Sequence, residues 1–233
     1  MKVAIGHEWN VSVSEARALQ RELAPKVDLR DAVDPQAIRT VAGVDNGYVK
    51  QDGGFVAFAA VIVMTFPDLE TIDTVIAHQP VTFPYVPGLL TFREAPAILT
   101  AFERVTVEPD VILFDGQGIA HPLRFGLASH LGVVLDWPSI GCAKSRLTGY
   151  FKEPGDQCGA TSPIKIGDEV IGTALRSLPG HKPLIISPGH KVSISSAADL
   201  ALACCDGTTF MPRPIQAAHN AVAEATAPLR KKR

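Results

Sequence analysis

The sequence of 233 residues contains few cysteines, no long apolar segment and little net charge, and each absence excludes a class of protein. Its four cysteines show no metal-ligand spacing, and Cys204 and Cys205 are adjacent, so we expect reduced thiols rather than a disulfide framework. The longest apolar run, residues 55–66, is too short to cross a bilayer, and the N-terminus lacks the pattern of a secretory signal. These absences favour a cytoplasmic protein without a membrane partner.

Further absences narrow the function. The formal net charge of −2 gives no overall basic field, so a polyanion would have to bind at a local basic patch. No Gly-x-Gly-x-x-Gly motif follows a predicted strand, which argues against a nucleotide-binding enzyme of the Rossmann type. The sequence has no long Gly/Ser linker, low-complexity tract or internal repeat, so we predict a single domain over residues 1–233. The basic tail, residues 230–233, is assigned no role because terminal charges are usually solvated.

The pattern of apolar residues predicts a mixed α/β fold. Strands are predicted at 41–49, 55–66, 73–77, 111–115, 132–135 with 139–141, 169–174 and 184–187, and helices at 12–25, 92–103, 122–131, 195–205 and 214–227. Residues 50–54 read as a hairpin loop, residues 145–163 as an exposed loop, and Ser14 and Ser195 as helix caps. Three antiparallel strands followed by helix, strand, helix and strand form the ribonuclease H-like arrangement, a mixed sheet flanked by helices.

The segment Leu113 to Pro122 is the most informative part of the sequence. A buried apolar strand ends there on Asp115, which is followed by a Gly-Gln-Gly turn. Open α/β sheets place ligands at the carboxyl ends of their strands, and glycines allow positive φ angles and close approach of a ligand. Alone, an Asp-Gly pair after a strand is more often only a turn than a functional site.

Two further acidic residues, Asp45 and Glu94, are expected to lie near Asp115. Asp45 lies within a strand suited to burial, where an unpaired carboxylate is costly, and Glu94 lies at the start of a helix. Separately, Asp45 fits a strand end or bulge, and Glu94 fits the helix dipole. On the predicted fold, both converge with Asp115, and three carboxylates stay ionised together only if a cation offsets their repulsion. Oxygen ligands suit Mg²⁺ or Mn²⁺, and such an ion supports hydrolysis of a phosphodiester.

In their order along the chain, the motifs resemble those of the endonuclease V family, the deoxyinosine 3′ endonucleases. The matching segments are GVD at 43–45, FPYVPGLL at 83–90, FRE at 92–94, DGQGIAHP at 115–122, GLASHLG at 126–132, IGCAKSRL at 140–147, SPGH at 187–190 and AH at 218–219. They cover nearly the full length of the sequence, and all of them together are far more specific than any one alone.

The resemblance implies a metal-dependent endonuclease that recognises hypoxanthine in DNA, and hence a role in repair of deaminated adenine. It implies cleavage of the second phosphodiester 3′ to the lesion, which leaves 3′-hydroxyl and 5′-phosphate ends. By position, Asp45, Asp115 and Glu94 would hold Mg²⁺, with Mn²⁺ as a substitute. Lys144 would face the scissile phosphate, and His219 would orient the attacking water or assist proton transfer.

The resemblance also assigns residues to the substrate. The stiff segment around Tyr85 matches a strand-separating wedge, in which prolines hold an aromatic ring ready to replace an unstacked base. The turn after Asp115 would meet the extruded hypoxanthine through main-chain hydrogen bonds. The expected substrate contacts are Pro84, Tyr85, Pro87, Gly116, Gln117, Gly118 and His121. The spacing allows His121 and His130 to share one helix face or to be structural, and His190 fits site support or a turn equally well.

Several readings stay open at this stage. The substrate is deoxyinosine in DNA or, alternatively, inosine in RNA, and the enzyme is expected to act as a monomer. A non-catalytic inosine-binding protein is a second alternative, although the intact acids argue against it. A junction nuclease of the same fold is a third, and the Tyr85 segment argues against it. Residues 46–48 depart from the usual family pattern, which predicts altered hydrogen bonding beside Asp45.

Overall fold

A single mixed sheet of eight strands forms the centre of the computed structural model, which describes residues 1–51 and 53–229. In chain order the elements are α1 (Val13–Leu23), β1 (Thr40–Gln51), β2 (Gly54–Thr65), β3 (Thr71–Pro80), α2 (Leu90–Phe102), β4 (Val111–Phe114), α3 (Leu127–Leu135), β5 (Ser139–Ala143), β6 (Thr161–Ile166), β7 (Glu169–Leu175), β8 (Leu184–His190), α4 (Ile194–Ala203) and α5 (Arg213–Thr226). Short 3₁₀ turns lie at Ala24–Lys26, Pro35–Ala37 and Ala227–Leu229.

The strand order is β3-β2-β1-β4-β5-β8-β7-β6, which confirms the predicted ribonuclease H-like arrangement. The first three strands form an antiparallel meander, and β1 also pairs in parallel with β4. β4 in turn pairs in parallel with β5, so the carboxyl ends of these central strands lie at one edge. That edge is where a ligand site is expected in a sheet of this kind.

Strand β2 explains how the sheet is covered on both faces. Its even-numbered residues from Phe58 to Met64 belong to the core that α5 covers, and its odd-numbered residues from Ala57 to Val63 belong to the core that α2 covers. A strand buried on both faces reads as a continuous apolar run, which is why residues 55–66 look unbroken in the sequence. Each fully buried Val, Ile or Met side chain contributes roughly 1.5–3 kcal/mol.

Two elements differ from the prediction. Residues 122–126 form turns, not helix, and α3 begins at Leu127 and ends at Asp136, whose φ of 55° is left-handed. Residues 132–135, predicted as a strand, are the last turn of this helix. The helix is buried on all sides, so its sequence is apolar throughout and looks like a buried strand. The first half of strand β6, residues 161–163, lies in the segment predicted as loop. Its Pro163 is tolerated because β6 is an edge strand.

The predicted helix caps are also wrong by two residues. Ser12 caps α1, since its hydroxyl accepts from the backbone N–H of Glu15 while the Glu15 carboxylate accepts from the Ser12 N–H. Ser193 caps α4 in the same way, through the N–H of Ser196. In each case several serines were available, and the cap is the one whose extended backbone lets its hydroxyl reach the first free amides.

None of the helices in the described residues is long and apolar enough to span a membrane. The basic tail at 230–233, and Asp52 of the predicted hairpin loop, lie outside the described residues.

Candidate active site

The register of β1 with β4 places two carboxylates side by side. Val44 lies opposite Phe114 in this parallel pair, and the backbone N–H of Asp115 donates to the carbonyl of Val44 at 3.0 Å. Asp45 and Asp115 are therefore the next residues of two adjacent strands, and both side chains are largely buried. Burial raises the pKa of Asp115, and the charge of Asp45 raises it further.

Glu94 approaches the same edge from α2. It is the fifth residue of this helix, beyond the first turn, so the helix dipole does not account for an acid there. Its side chain is buried, and burial raises the pKa of Glu94 to about 8, with the charges of Asp45 and Asp115 acting in the same direction. The structure therefore brings the three predicted acids together as one cluster, which we call the acidic edge.

Tyr48 is a site residue that the sequence reasoning missed. Its hydroxyl donates to Oε1 of Glu94 at 2.9 Å, and the Arg93 guanidinium lies 4.7 Å from the centre of its ring. Burial and the Glu94 charge raise the pKa of Tyr48, so the phenol stays protonated and acts as the donor. The signal was available in the alternation of β1, because residues 46 and 48 share the face that α2 covers. The departure at residues 46–48 therefore acts on Glu94.

His219 reaches Asp45 because α5 packs unusually close to β1. A Cβ added at Gly43 would lie 2.0 Å from the backbone of Pro214, and one added at Gly47 would lie 2.5 Å from Val222. With no side chain at these two positions, α5 settles directly on the strand. The Nδ1 atom of His219 then lies 2.7 Å from Oδ2 of Asp45, and the imidazole is half-exposed.

Lys144 bonds the other aspartate of the pair. It follows the end of β5, and its Nζ lies 2.6 Å from Oδ2 of Asp115. The ammonium lowers the pKa of Asp115 and so opposes the effect of burial. With His219 on Asp45 and Lys144 on Asp115, each aspartate has one oxygen engaged by a neighbouring nitrogen.

The acidic edge consists of ligands suited to a metal ion. Within residues 1–51 and 53–229, no three His, Cys, Asp or Glu side chains close around one point as a preformed metal centre. The side chains nevertheless fit a hard divalent cation, because all three offer carboxylate oxygens. Repulsion between their negative charges also raises the pKa of Glu94 and of Asp115. A cation between Asp45 and Asp115 would remove that repulsion.

A cleft of about 390 Å³ opens beside the acidic edge. One wall is the wedge loop, residues 83–88, and the other is formed by Ala143 to Leu147 after β5. Asp115 and Gln117 line it between these walls. Tyr85 is 72% exposed at its rim, so its ring does not pack on the core. The Oε1 atom of Gln117 is buried and has no hydrogen-bond partner in the described part of the chain.

The wedge loop is fixed at Gly88, whose φ is 82°. The Gly88 carbonyl accepts from Nε2 of buried Gln20 at 2.9 Å and lies 3.1 Å from Nε2 of His121. The Nδ1 atom of His121 lies 3.2 Å from the N–H of Leu123, which makes Nδ1 the acceptor and Nε2 the donor. Burial lowers the pKa of His121 and keeps the ring neutral. Gln20 was not predicted, and a lone Gln in an amphipathic helix gives no signal of this contact.

Three predicted roles are corrected by these positions. Gly118 is buried under the turn, where its N–H bonds Ser187 and its missing Cβ makes room for the carbonyl of Pro188. Neither Gly116 nor Gly118 has a positive φ, so the turn does not need glycine for its backbone conformation, and Gly116 lines the cleft. His121 and His130 do not share a helix face, because His121 lies in a turn before α3.

The two other histidines of the matching segments are engaged away from the acidic edge. His130 is fully buried against His7, at 2.8 Å between their Nε2 atoms, and is structural. His190 pairs with the start of β5, at the opposite edge from the acids, and bonds Asp28 and Asp136. Arg124 is ion-paired with Glu169 and Lys191 with Asp136, whereas Arg146 lines the cleft.

Comparison with known proteins gives a consistent set of matches. The family model described as Endonuclease V matches residues 21–220. Over 204 residues the chain is 47% identical to endonuclease V of Nostoc punctiforme, covering 88% of this chain and 91% of that protein. The crystal structure of endonuclease V from Bacillus subtilis is similar with a TM-score of 0.93 at 32% identity, covering 97% of this chain and 98% of the other.

A further match is a complex. The structure of Ciona intestinalis endonuclease V with a 24mer DNA containing an inosine followed by a ribo-adenosine has a TM-score of 0.81 to this chain. The two sequences are 25% identical, and the match covers 94% of this chain and 99% of that one.

Proposed function

Since the chain belongs to the endonuclease V family of metal-dependent nucleases, we propose that it cleaves DNA that contains deoxyinosine, at the second phosphodiester 3′ to the lesion. The products would be 3′-hydroxyl and 5′-phosphate ends, and the role would be repair of deaminated adenine. The observation that supports this most strongly is the pair Asp45 and Asp115 on adjacent strands, at the side of a cleft whose rim carries exposed Tyr85. We propose that one domain acts as a monomer.

The cleft supports base extrusion. At about 390 Å³, the space between the wedge loop and residues 143–147 is large enough to take a purine base, and an extruded base leaves a gap that the Tyr85 ring can fill. Unstacking costs a few kcal/mol and is cheapest for a poorly paired base. Hypoxanthine presents an N1–H donor where adenine has an acceptor, and the orphaned Oε1 of Gln117 is an acceptor of the matching kind.

The acidic edge supports hydrolysis. Asp45 and Asp115, with Glu94, would hold Mg²⁺ or Mn²⁺; a bound ion would polarise the phosphodiester and make an attacking water more acidic. His219 donates through Nδ1 to Asp45, which leaves Nε2 of the half-exposed ring to accept a proton from that water. Lys144, 44% exposed, can extend from Asp115 to a phosphate oxygen, where its charge offsets the negative charge that develops.

The sugar of the substrate needs a separate comparison. The Ciona intestinalis complex contains a ribo-adenosine after the inosine, so we include inosine in RNA as the second candidate substrate. A non-catalytic inosine-binding protein would have no use for a repulsive acid cluster.

The test is cleavage of matched single-inosine DNA and RNA strands with Mg²⁺, mapped at nucleotide resolution. We expect cleavage of the second phosphodiester 3′ to inosine, which is the bond on the 3′ side of the next nucleotide. We expect no cleavage of the matched adenosine strands and no activity after the metal is removed by a chelator. The ratio of the DNA and RNA rates identifies the substrate. Absence of cleavage with Mg²⁺ and with Mn²⁺, or equal cleavage of the adenosine control, would contradict the proposal.

A further inference from the structure

A second groove lies on the far side of the wedge loop, between this loop and α1. It has a volume of about 240 Å³ and is lined by Arg17, Gln20 and Arg21 of α1 and by the segment from His121 to Leu123. Pro87, Gly88 and His121 line both this groove and the cleft beside the acidic edge. A strand that passes over Pro87 and Gly88 would therefore leave one depression and enter the other.

The groove is basic because of two unpaired arginines. Arg17 and Arg21 are exposed, and their spacing of four residues puts them on one face of α1. Four other arginines have acidic partners, namely Arg30, Arg124, Arg176 and Arg213. In the described residues, Arg17 and Arg21 have none. At about 100° per residue, the two glutamates of α1, Glu15 and Glu22, fall on a different face.

Helix α1 holds these arginines rigidly beside the wedge loop. Gln20, between them in sequence, is 1% exposed and donates to the carbonyls of Gly88 at 2.9 Å and Phe125 at 3.4 Å. Ala16 and Leu23 are buried on the same side, and the capping box fixes the start of the helix. The buried amide of Gln20 thus fixes α1, and with it the two arginines, beside the wedge loop that forms one wall of the cleft.

We propose that this groove binds the sugar-phosphate backbone of the substrate strand on the 5′ side of the inosine, with Arg17 and Arg21 each contacting a phosphate. The inference rests on the proposed function, because it takes the base into the cleft and the 3′ phosphates onto the acidic edge. The strand then has to leave the cleft on the other side, over Pro87 and Gly88. Guanidinium groups pair with phosphate in a planar, bidentate way and carry no base preference.

The test measures kcat/KM for single-stranded inosine DNA whose 5′ flank is either short or long, with a constant 3′ flank. In the unaltered protein we expect kcat/KM to rise with the longer 5′ flank. In the Arg17→Ala/Arg21→Ala protein this rise should disappear, a loss of about tenfold on the long substrate and little change on the short one. The salt dependence of log kcat/KM should become shallower by about 1.4, since each single-strand phosphate contributes about 0.7.

The matched control is Arg104→Ala/Lys182→Ala, which removes the same charge from exposed positions outside both depressions. It should keep the dependence on 5′ length and the salt slope. Either of two results would overturn the inference: no gain with 5′ length in the unaltered protein, or an equal gain in the Arg17→Ala/Arg21→Ala protein. Failure of the unaltered protein to cleave any inosine strand would refute the proposed function itself, and the inference with it.

Discussion

The acidic edge and the wedge loop border the same cleft, yet they are held in place in opposite ways. Asp45, Glu94 and Asp115 are buried and positioned by strand register and helix packing. The wedge loop carries an exposed Tyr85, and hydrogen bonds to the Gly88 carbonyl hold it. Under the proposed function, this difference would place the chemistry on rigid, buried elements of the fold and the recognition of the base on an exposed loop with a local anchor.

Removal of one acid should have the largest effect. Asp115→Ala should reduce cleavage by at least about 1,000-fold, because the cation would lose a central ligand. Binding of an inosine strand, measured by anisotropy, should change little because the cleft walls are intact. Asp168→Ala, at an exposed turn between β6 and β7, is the control and should cleave normally. A comparable loss of binding by Asp115→Ala would mean that the acidic edge is a structural element.

The contact behind Glu94 should have a smaller effect. Tyr48→Phe removes the donor to Oε1 of Glu94 while leaving the ring in place. We expect about a tenfold increase in the Mg²⁺ concentration for half-maximal cleavage, as is typical when a partner of a metal ligand is removed. Tyr150→Phe loses a hydroxyl bonded to the Gly167 carbonyl away from the acids, and should behave like the unaltered protein. An unchanged Mg²⁺ requirement in Tyr48→Phe would separate Glu94 from metal binding.

Loosening the anchor should affect recognition and spare chemistry. Gln20→Leu removes the amide that bonds Gly88, so the wedge loop is held by His121 with one hydrogen bond fewer. We expect a several-fold loss of cleavage on duplex inosine DNA and a smaller loss on the single strand, since only the duplex requires strand separation. Gln79→Leu breaks a similar bond to Thr100, away from the loop, and serves as the control. Equal losses on both substrates would place Gln20 outside recognition.

The stability of the folded protein should decrease in acid because of buried His130. Burial, and then the neighbouring His7, hold the pKa of His130 well below its ordinary value, so the folded protein keeps the ring neutral. The unfolded chain binds the proton at its ordinary pKa, and stability therefore falls as the pH decreases below 6.5. This histidine alone should cost about 1 kcal/mol between pH 6.5 and 5.5.

Urea unfolding at several pH values checks this expectation. In His130→Gln the free energy of unfolding should fall less steeply as the pH decreases. The slope should correspond to about one proton fewer taken up on unfolding, even if the variant is less stable at neutral pH. His121 and His190, whose pKa values are also lowered by burial, stay in both proteins and cancel in the difference. Identical pH slopes would show that His130 is protonated in the folded state.

The positions that the sequence predicted correctly are those that local patterns determine. Apolar runs bounded by glycine or charge gave the central strands. Placing Asp45 within one of them and Asp115 at the end of its neighbour gave their proximity. The order of motifs gave the family. Strand register is set by the hydrophobic pattern, so an acid at a strand end can be placed from that pattern.

The positions that were missed depend on contacts between distant segments. Gln20 meets Gly88 across 68 residues, and Tyr48 meets Glu94 across 46, and neither pair has a local signature. The role of Gly43 was equally hidden, because only the docked α5 shows why a side chain there is impossible. The early start predicted for α3 had a different cause, since apolar content at 122–135 does not distinguish a buried helix from turns and strands.

The division between a fixed acidic edge and a recognising loop is tested most directly with Tyr85→Ala. The measurement is the single-turnover cleavage rate on duplex inosine DNA and on the same strand alone. We predict a loss of about tenfold or more on the duplex, where the ring must replace the unstacked base, and a nearly unchanged rate on the single strand. Equal losses on both substrates would contradict the account, because Tyr85 would then be part of the chemistry and not of strand separation.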